Sequence, residues 1–98
     1  MSQPARQTML YVIAYDIPHD GRRTKVHKTL SGVGRWTQFS LFEAFLTEKE
    51  LIVLRGKLDK LLKEDEDSVR FYRLCAACVE AAVTIGSAAP KEEKVFVV

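Results

Sequence analysis

Residues 9–15, Met9-Leu10-Tyr11-Val12-Ile13-Ala14-Tyr15, form an unbroken apolar run rich in β-branched and aromatic side chains, and Asp16 closes it. A run of that length and composition reads as a buried strand. Side chains alternate across a strand, so Leu10, Val12 and Ala14 face one way while Tyr11, Ile13 and Tyr15 face the other. Both faces are apolar, and both therefore need cover. Two helices can cover one of them. A twofold-related copy of the same sheet is the simplest cover for the second.

The rest of the chain supplies those helices. Asp20 is a good N-cap, and Val26, Leu30 and Val33 follow at helical spacing. Gly32 and Gly34 are expected to stop that helix in left-handed conformations. Residues 36–46 are dense in aromatics and read as a short hairpin turning near Phe39-Ser40. Thr47-Glu48-Lys49-Glu50 is a capping box, and Leu51, Leu54, Leu58 and Leu61 place a second helix behind it. Glu64-Asp65-Glu66-Asp67 reads as a solvated connection, because it lacks the Gly and the terminal Glu of an EF-hand loop. Strands are expected at residues 69–74 and 79–85, a linker at 86–90 and a final strand at 95–98. The order strand, helix, strand, strand, helix, strand predicts an α+β fold. It is a ferredoxin-like βαββαβ two-layer sandwich with an extra C-terminal strand.

With 98 residues the chain makes one domain, small enough that pairing with another chain would help it. The expected divisions are a flexible extension over 1–8, the sandwich over 9–86, and a linker with the last strand over 87–98. No apolar stretch approaches the ~20 residues that cross a bilayer. Residues 1–8 lack the apolar core of a secretory signal, and two cysteines do not make a secreted disulfide framework. The expected compartment is the cytoplasm, with no membrane partner.

A net charge of +2 says less than its distribution. Residues 20–35 hold Arg22, Arg23, Lys25, Lys28 and Arg35 against Asp20 alone, which is either a polyanion-binding face or a solvated helix face. Asp16, at the end of a central strand and just ahead of that basic helix, is placed to present a metal ligand to a phosphate backbone. It can equally begin a turn before Pro18. Cys75-Ala76-Ala77-Cys78 has zinc or redox spacing but no second pair, so the thiols read as buried packing. Phe39, Phe42 and Phe45 lie three apart and alternate between faces, which favours core packing over an RNA-stacking platform. His19 and His27 have no identifiable partner and read as surface or loop residues. Nucleotide-binding glycine loops, nucleophile elbows and metalloprotease helices are absent.

Three segments taken together resemble the second universal CRISPR-associated protein family, small ferredoxin-like endonucleases of the adaptation machinery. They are Tyr15-Asp16-Ile17-Pro18-His19-Asp20-Gly21-Arg22-Arg23, Gln38-Phe39-Ser40-Leu41-Phe42-Glu43 and Arg70-Phe71-Tyr72-Arg73-Leu74-Cys75-Ala76-Ala77-Cys78. The resemblance implies a face-to-face homodimer whose C-terminal strands cross to the partner, bringing two copies of Asp16 to the twofold axis around Mg²⁺. It implies metal-dependent hydrolysis of RNA or double-stranded DNA during spacer acquisition, with an integrase subunit as partner. Tyr15, Arg23 and Phe42 fall on positions tied to activity in relatives. Arg22, Arg23, Lys25, Lys28 and Arg35 would meet the nucleic acid. The chain departs from the family at Gly34-Arg35-Trp36-Thr37, which is shorter, and Arg35 does not firmly match the family arginine there. A non-catalytic duplex-DNA scaffold bridging integrase dimers is the rival reading, and a ribonuclease toxin of related fold a more distant one.

Overall fold

The computed structural model describes residues 7–86, so the expected last strand at 95–98 and most of both terminal segments lie outside the described residues. Seven elements follow in order: β1 (Met9–Asp16), α1 (Asp20–Ser31), β2 (Arg35–Gln38), β3 (Leu41–Leu46), α2 (Glu48–Leu61), β4 (Ser68–Leu74) and α3 (Ala76–Ala81). The strands form one sheet in the order β2-β3-β1-β4, and every neighbouring pair is antiparallel. This is the split βαβ arrangement of the expected ferredoxin-like sandwich, with β1 and β3 in the middle. Among the described residues no helix is long and apolar enough to cross a membrane.

The alternation along β1 decides which face the helices take. Tyr11, Ile13 and Tyr15 are buried with Phe42, Ala44 and Leu46 of β3, and Val26, Leu30, Leu54 and Leu58 close over them from α1 and α2. Removing each large side chain of this set from water contributes about 1.5–3 kcal/mol. Ile13, Phe42, Leu30 and Leu46 are wholly inaccessible. The opposite face carries Leu10, Val12, Ala14 and Asp16, flanked in register by Leu41, Glu43 and Phe45 on one side and by Ser68, Arg70, Tyr72 and Leu74 on the other. At one end of this face Leu10 is buried, where α3 follows Leu74 and packs on β1 and β4. Towards Asp16 the face opens to solvent, and Tyr72 is half exposed.

Both halves of the α2 capping box form: Glu50 N–H donates to Thr47 Oγ1 (3.1 Å) and Thr47 N–H to Glu50 Oε1 (2.8 Å). The hairpin turns at Phe39-Ser40 as expected. Other details differ. His19, not Asp20, caps α1, accepting the Arg22 N–H at Nδ1 (3.1 Å), while Asp20 lies inside the first turn where its charge suits the helix dipole. Neither Gly32 nor Gly34 is left-handed. Gly34 is needed for a close approach instead, because a Cβ there would lie 2.6 Å from the Glu43 carbonyl oxygen and 2.8 Å from Ala44 Cβ.

The strand expected at 79–85 is not formed. Ala76, Ala77 and Ala81 give the segment strong helix propensity, and it folds as α3, leaving Val83 and Ile85 exposed beyond it. Cys75 and Cys78 are exposed rather than buried, one at the N-cap and one in the first turn of α3. The Cys78 amide holds the Cys75 thiol below its ordinary pKa, and Cys75 in turn raises that of Cys78. The acidic block is also not wholly solvated, since the Asp67 side chain is inaccessible to solvent.

Candidate nucleic-acid interface

Asp16 is the last residue of β1, opposite Ser68, on the sheet face that α1 and α2 leave uncovered. Its carboxylate is exposed and has no hydrogen bond or ion pair to another described residue. Arg70, opposite Ala14 and so on the same face, is held in its charged form mainly by Tyr72 and less strongly by Asp16.

The loop after Asp16 is fixed by two arginines. Arg23 Nη1 donates to the carbonyls of Ile17 (2.9 Å) and Pro18 (3.4 Å), while Nη2 pairs with Asp20. Arg22 donates from Nε to Asp67 Oδ2 (2.7 Å), and from Nη2 to Asp67 Oδ1 (3.2 Å) and Glu66 Oε1 (2.9 Å). Asp67 also accepts the Lys63 amide (2.9 Å). Arg22 holds the Asp67 and Glu66 carboxyls below their ordinary pKa, and Asp67 raises that of Arg22. This bidentate clamp ties the start of α1 to the α2–β4 loop. Nε and Nη2 of Arg22 are thus engaged by carboxylates, which sets it apart from the other cations expected to meet phosphate. Lys25 and Lys28 are exposed and have no ion-pair partner among the described residues; Arg35 sits on edge strand β2 opposite Glu43.

Tyr15 and Phe42 lie on the other face, under α1. Tyr15 Oη is 3.0 Å from His27 Nδ1, and burial raises the phenol pKa against the opposing effects of Ser40 and Arg23. The His27 ring packs edge-on against Phe42 (centroids 5.1 Å apart) and Trp36 (6.2 Å). The residues expected to act together are thus divided: Asp16 stands on the open face, Tyr15 and Phe42 are interior, and Arg23 holds the loop between. His27, as the partner of Tyr15, and Asp67, as that of Arg22, are contacts that the sequence does not announce. The available signal for His27 was its position three before Leu30, which puts it at the edge of the buried stripe.

A Mg²⁺ ion takes hard oxygen ligands, commonly one or two carboxylates completed by waters and phosphate oxygens. Asp16 fits that demand as a single free carboxylate. Among the described residues no three His, Cys, Asp or Glu side chains converge.

Residues 9–82 match the family model described as CRISPR associated protein Cas2. A relative from Synechocystis, named CRISPR-associated endoribonuclease Cas2 1, is 42% identical over 88 residues, covering 86% of this chain and 94% of its own length. A hypothetical protein of Thermus thermophilus, TT1823, has a solved structure that superposes with a TM-score of 0.72 at 35% identity, covering 88% of this chain and 99% of its own. A chain of a solved assembly described as a partial Cas6–RT–Cas1–Cas2 complex superposes with a TM-score of 0.67 at 30% identity, covering 79% and 90%. From the strand-end Asp16 and the ferredoxin-like sheet to these matches along nearly its whole described length, the chain belongs to the CRISPR-associated protein Cas2 family.

Proposed function

We propose that this chain is a nuclease subunit of the CRISPR adaptation machinery, working as a homodimer that hydrolyses phosphodiester bonds of RNA or double-stranded DNA. The observation that carries this reading is Asp16: an exposed, uncommitted carboxylate at the mouth of a half-apolar sheet face. A twofold copy covering that face would bring a second Asp16 to the first. The names of relatives, endoribonuclease among them, support the activity, and the Cas1-containing assembly supports an integrase partner.

In this reading the two Asp16 carboxylates hold Mg²⁺, which when bound supplies Lewis-acid polarisation and a nucleophilic water. Arg23, anchored on the Ile17 and Pro18 carbonyls, keeps the Asp16 loop in place and contributes positive charge beside it. Lys25 and Lys28 hold backbone phosphates, with Arg35 further along the edge strand. Tyr15 and Phe42 act from the interior by fixing the end of β1. The test is cleavage of labelled RNA and duplex DNA, with and without Mg²⁺, by the unmodified protein and by Asp16→Asn, with the oligomeric state of both followed by sedimentation. Cleavage should fall by orders of magnitude in the variant while the dimer persists. Full metal-dependent cleavage by Asp16→Asn would overturn the assignment.

A second reading, a non-catalytic scaffold that grips duplex DNA between integrase subunits, draws on Lys25 and Lys28 of α1, which have no ion-pair partner among the described residues. An unmodified protein that binds duplex DNA in a salt-sensitive way but cuts neither substrate would favour it.

A further inference from the structure

The exposed face of α1 and the β2–β3 turn flank an open cavity of about 610 Å³. Thr24, His27, Lys28 and Ser31 recur on α1 at the i, i+3, i+4, i+7 spacing that lines one side of a helix, and Arg23 joins them. Across the gap stand Phe39 and Ser40, and Tyr15 with its partner His27 lies beneath. Among the described residues no carboxylate lines the space, and Asp20 is paired with Arg23. Lys28 has no partner of its own among the described residues. The size is that of a small-ligand site.

Phe39 is the anomaly. The residue is 86% exposed, so core packing does not explain it, contrary to the sequence expectation. Its backbone takes a positive φ of 39°, which a bulky L-residue rarely adopts and which Asn or Gly would adopt with less strain. The turn is braced in that shape: Trp36 Nε1 donates to the Phe39 carbonyl (2.8 Å), and the Tyr15 amide donates to that of Ser40 (3.1 Å). A strained, braced turn that presents an aromatic ring beside cations and hydroxyls has the parts of a stacking platform.

We propose that this cavity binds one nucleotide of single-stranded nucleic acid, its base stacked on Phe39 and its phosphate held by Lys28, with the Thr24 hydroxyl bonding to the sugar or phosphate. The subsite lies on the helix side of the sheet, away from Asp16. It rests on the nucleic-acid reading above but not on cleavage.

The test is anisotropy of a short labelled oligothymidylate and of a labelled duplex, titrated in EDTA at low salt against the full chain, Phe39→Ala, Phe39→Trp and Lys28→Gln. Phe39→Ala should weaken single-strand binding roughly 5- to 160-fold and leave duplex affinity unchanged. Phe39→Trp should restore single-strand binding, with its indole fluorescence quenched on addition of the oligonucleotide. Lys28→Gln should reduce the single-strand salt slope by about 0.7. Single-strand affinity within twofold of the unmodified protein in Phe39→Ala would overturn the proposal, as would an equal loss for both probes. So would a shift of Phe39→Ala to a smaller species in sedimentation, which would make the platform an interface between copies. Duplex binding without single-strand binding refutes this subsite alone; absence of both refutes the nucleic-acid reading itself.

Discussion

Alanine should have opposite effects at two glycines of this chain. At Gly34, where the chain leaves α1 and passes beneath β3, an added Cβ would lie 2.6 Å from the Glu43 carbonyl oxygen, about 0.8 Å inside the 3.4 Å at which ordinary contact begins. The second obstacle, Ala44 Cβ at 2.8 Å, belongs to a buried residue of a central strand. Neither atom is the free end of a flexible side chain, so β2 must shift against β3. Overpacking of this kind costs about 1–3 kcal/mol. At Gly56, inside the 14-residue α2, an added Cβ meets nothing within 4 Å, and helix propensity alone should stabilise by about 0.8–1.0 kcal/mol. At about 4–8 °C per kcal/mol for a domain of this size, Gly34→Ala should lower Tm by about 4–24 °C and Gly56→Ala raise it by about 3–8 °C. Circular dichroism melts at one fixed protein concentration read both, since self-association would make Tm concentration-dependent. A Gly34→Ala protein as stable as its parent, or two shifts of the same sign, would refute the close-approach argument.

The remaining predictions concern charge. Arg22 lowers the Asp67 pKa, so the native state keeps that carboxylate ionised where the unfolded chain protonates it; the resulting stability is present above the unfolded value of about 3.9 and is lost as pH falls through the lower folded value. Asp67→Asn should therefore be less stable than the parent in urea at pH 7, with the gap narrowing below about pH 4; a gap independent of pH would refute the clamp. For duplex DNA, Lys25→Gln and Lys28→Gln should each reduce the log–log salt slope by about 0.9 if each meets one phosphate, whereas Arg22→Gln, assayed where it remains folded, should leave the slope unchanged. A drop in slope for Arg22→Gln would return that residue to the interface.

What could be read from the sequence was local. The two-sided β1, the turn at Phe39-Ser40 and the Thr47–Glu50 capping box each depend on residues within a few positions of one another, and each forms as expected. The sheet order follows from these elements because a short hairpin and two helical crossovers leave few arrangements that bury one face of β1. The departures are of two kinds. In α3 the alanines around Cys78 outweighed the few β-branched residues that suggested a strand, a competition of propensities that tertiary context decides. The other kind is set by tertiary partners. Arg22 and Arg23 are adjacent and chemically identical, yet Arg22 meets Asp67, 45 residues away, and Arg23 turns back to the loop that follows Asp16. Helical periodicity assigns a direction to each charge but no partner, so a basic helix face cannot by itself be divided into charges that hold the fold and charges left free for a phosphate. The same holds for Tyr15: alternation placed it correctly on the face away from Asp16, but its bond to His27 arises only once α1 crosses that face. Adjacent residues of one strand end, Tyr15 and Asp16, therefore serve opposite sides of the sheet. A perturbation of one need not disturb the other, so the proposed single-strand binding at Phe39 and the proposed cleavage at Asp16 should separate under mutation.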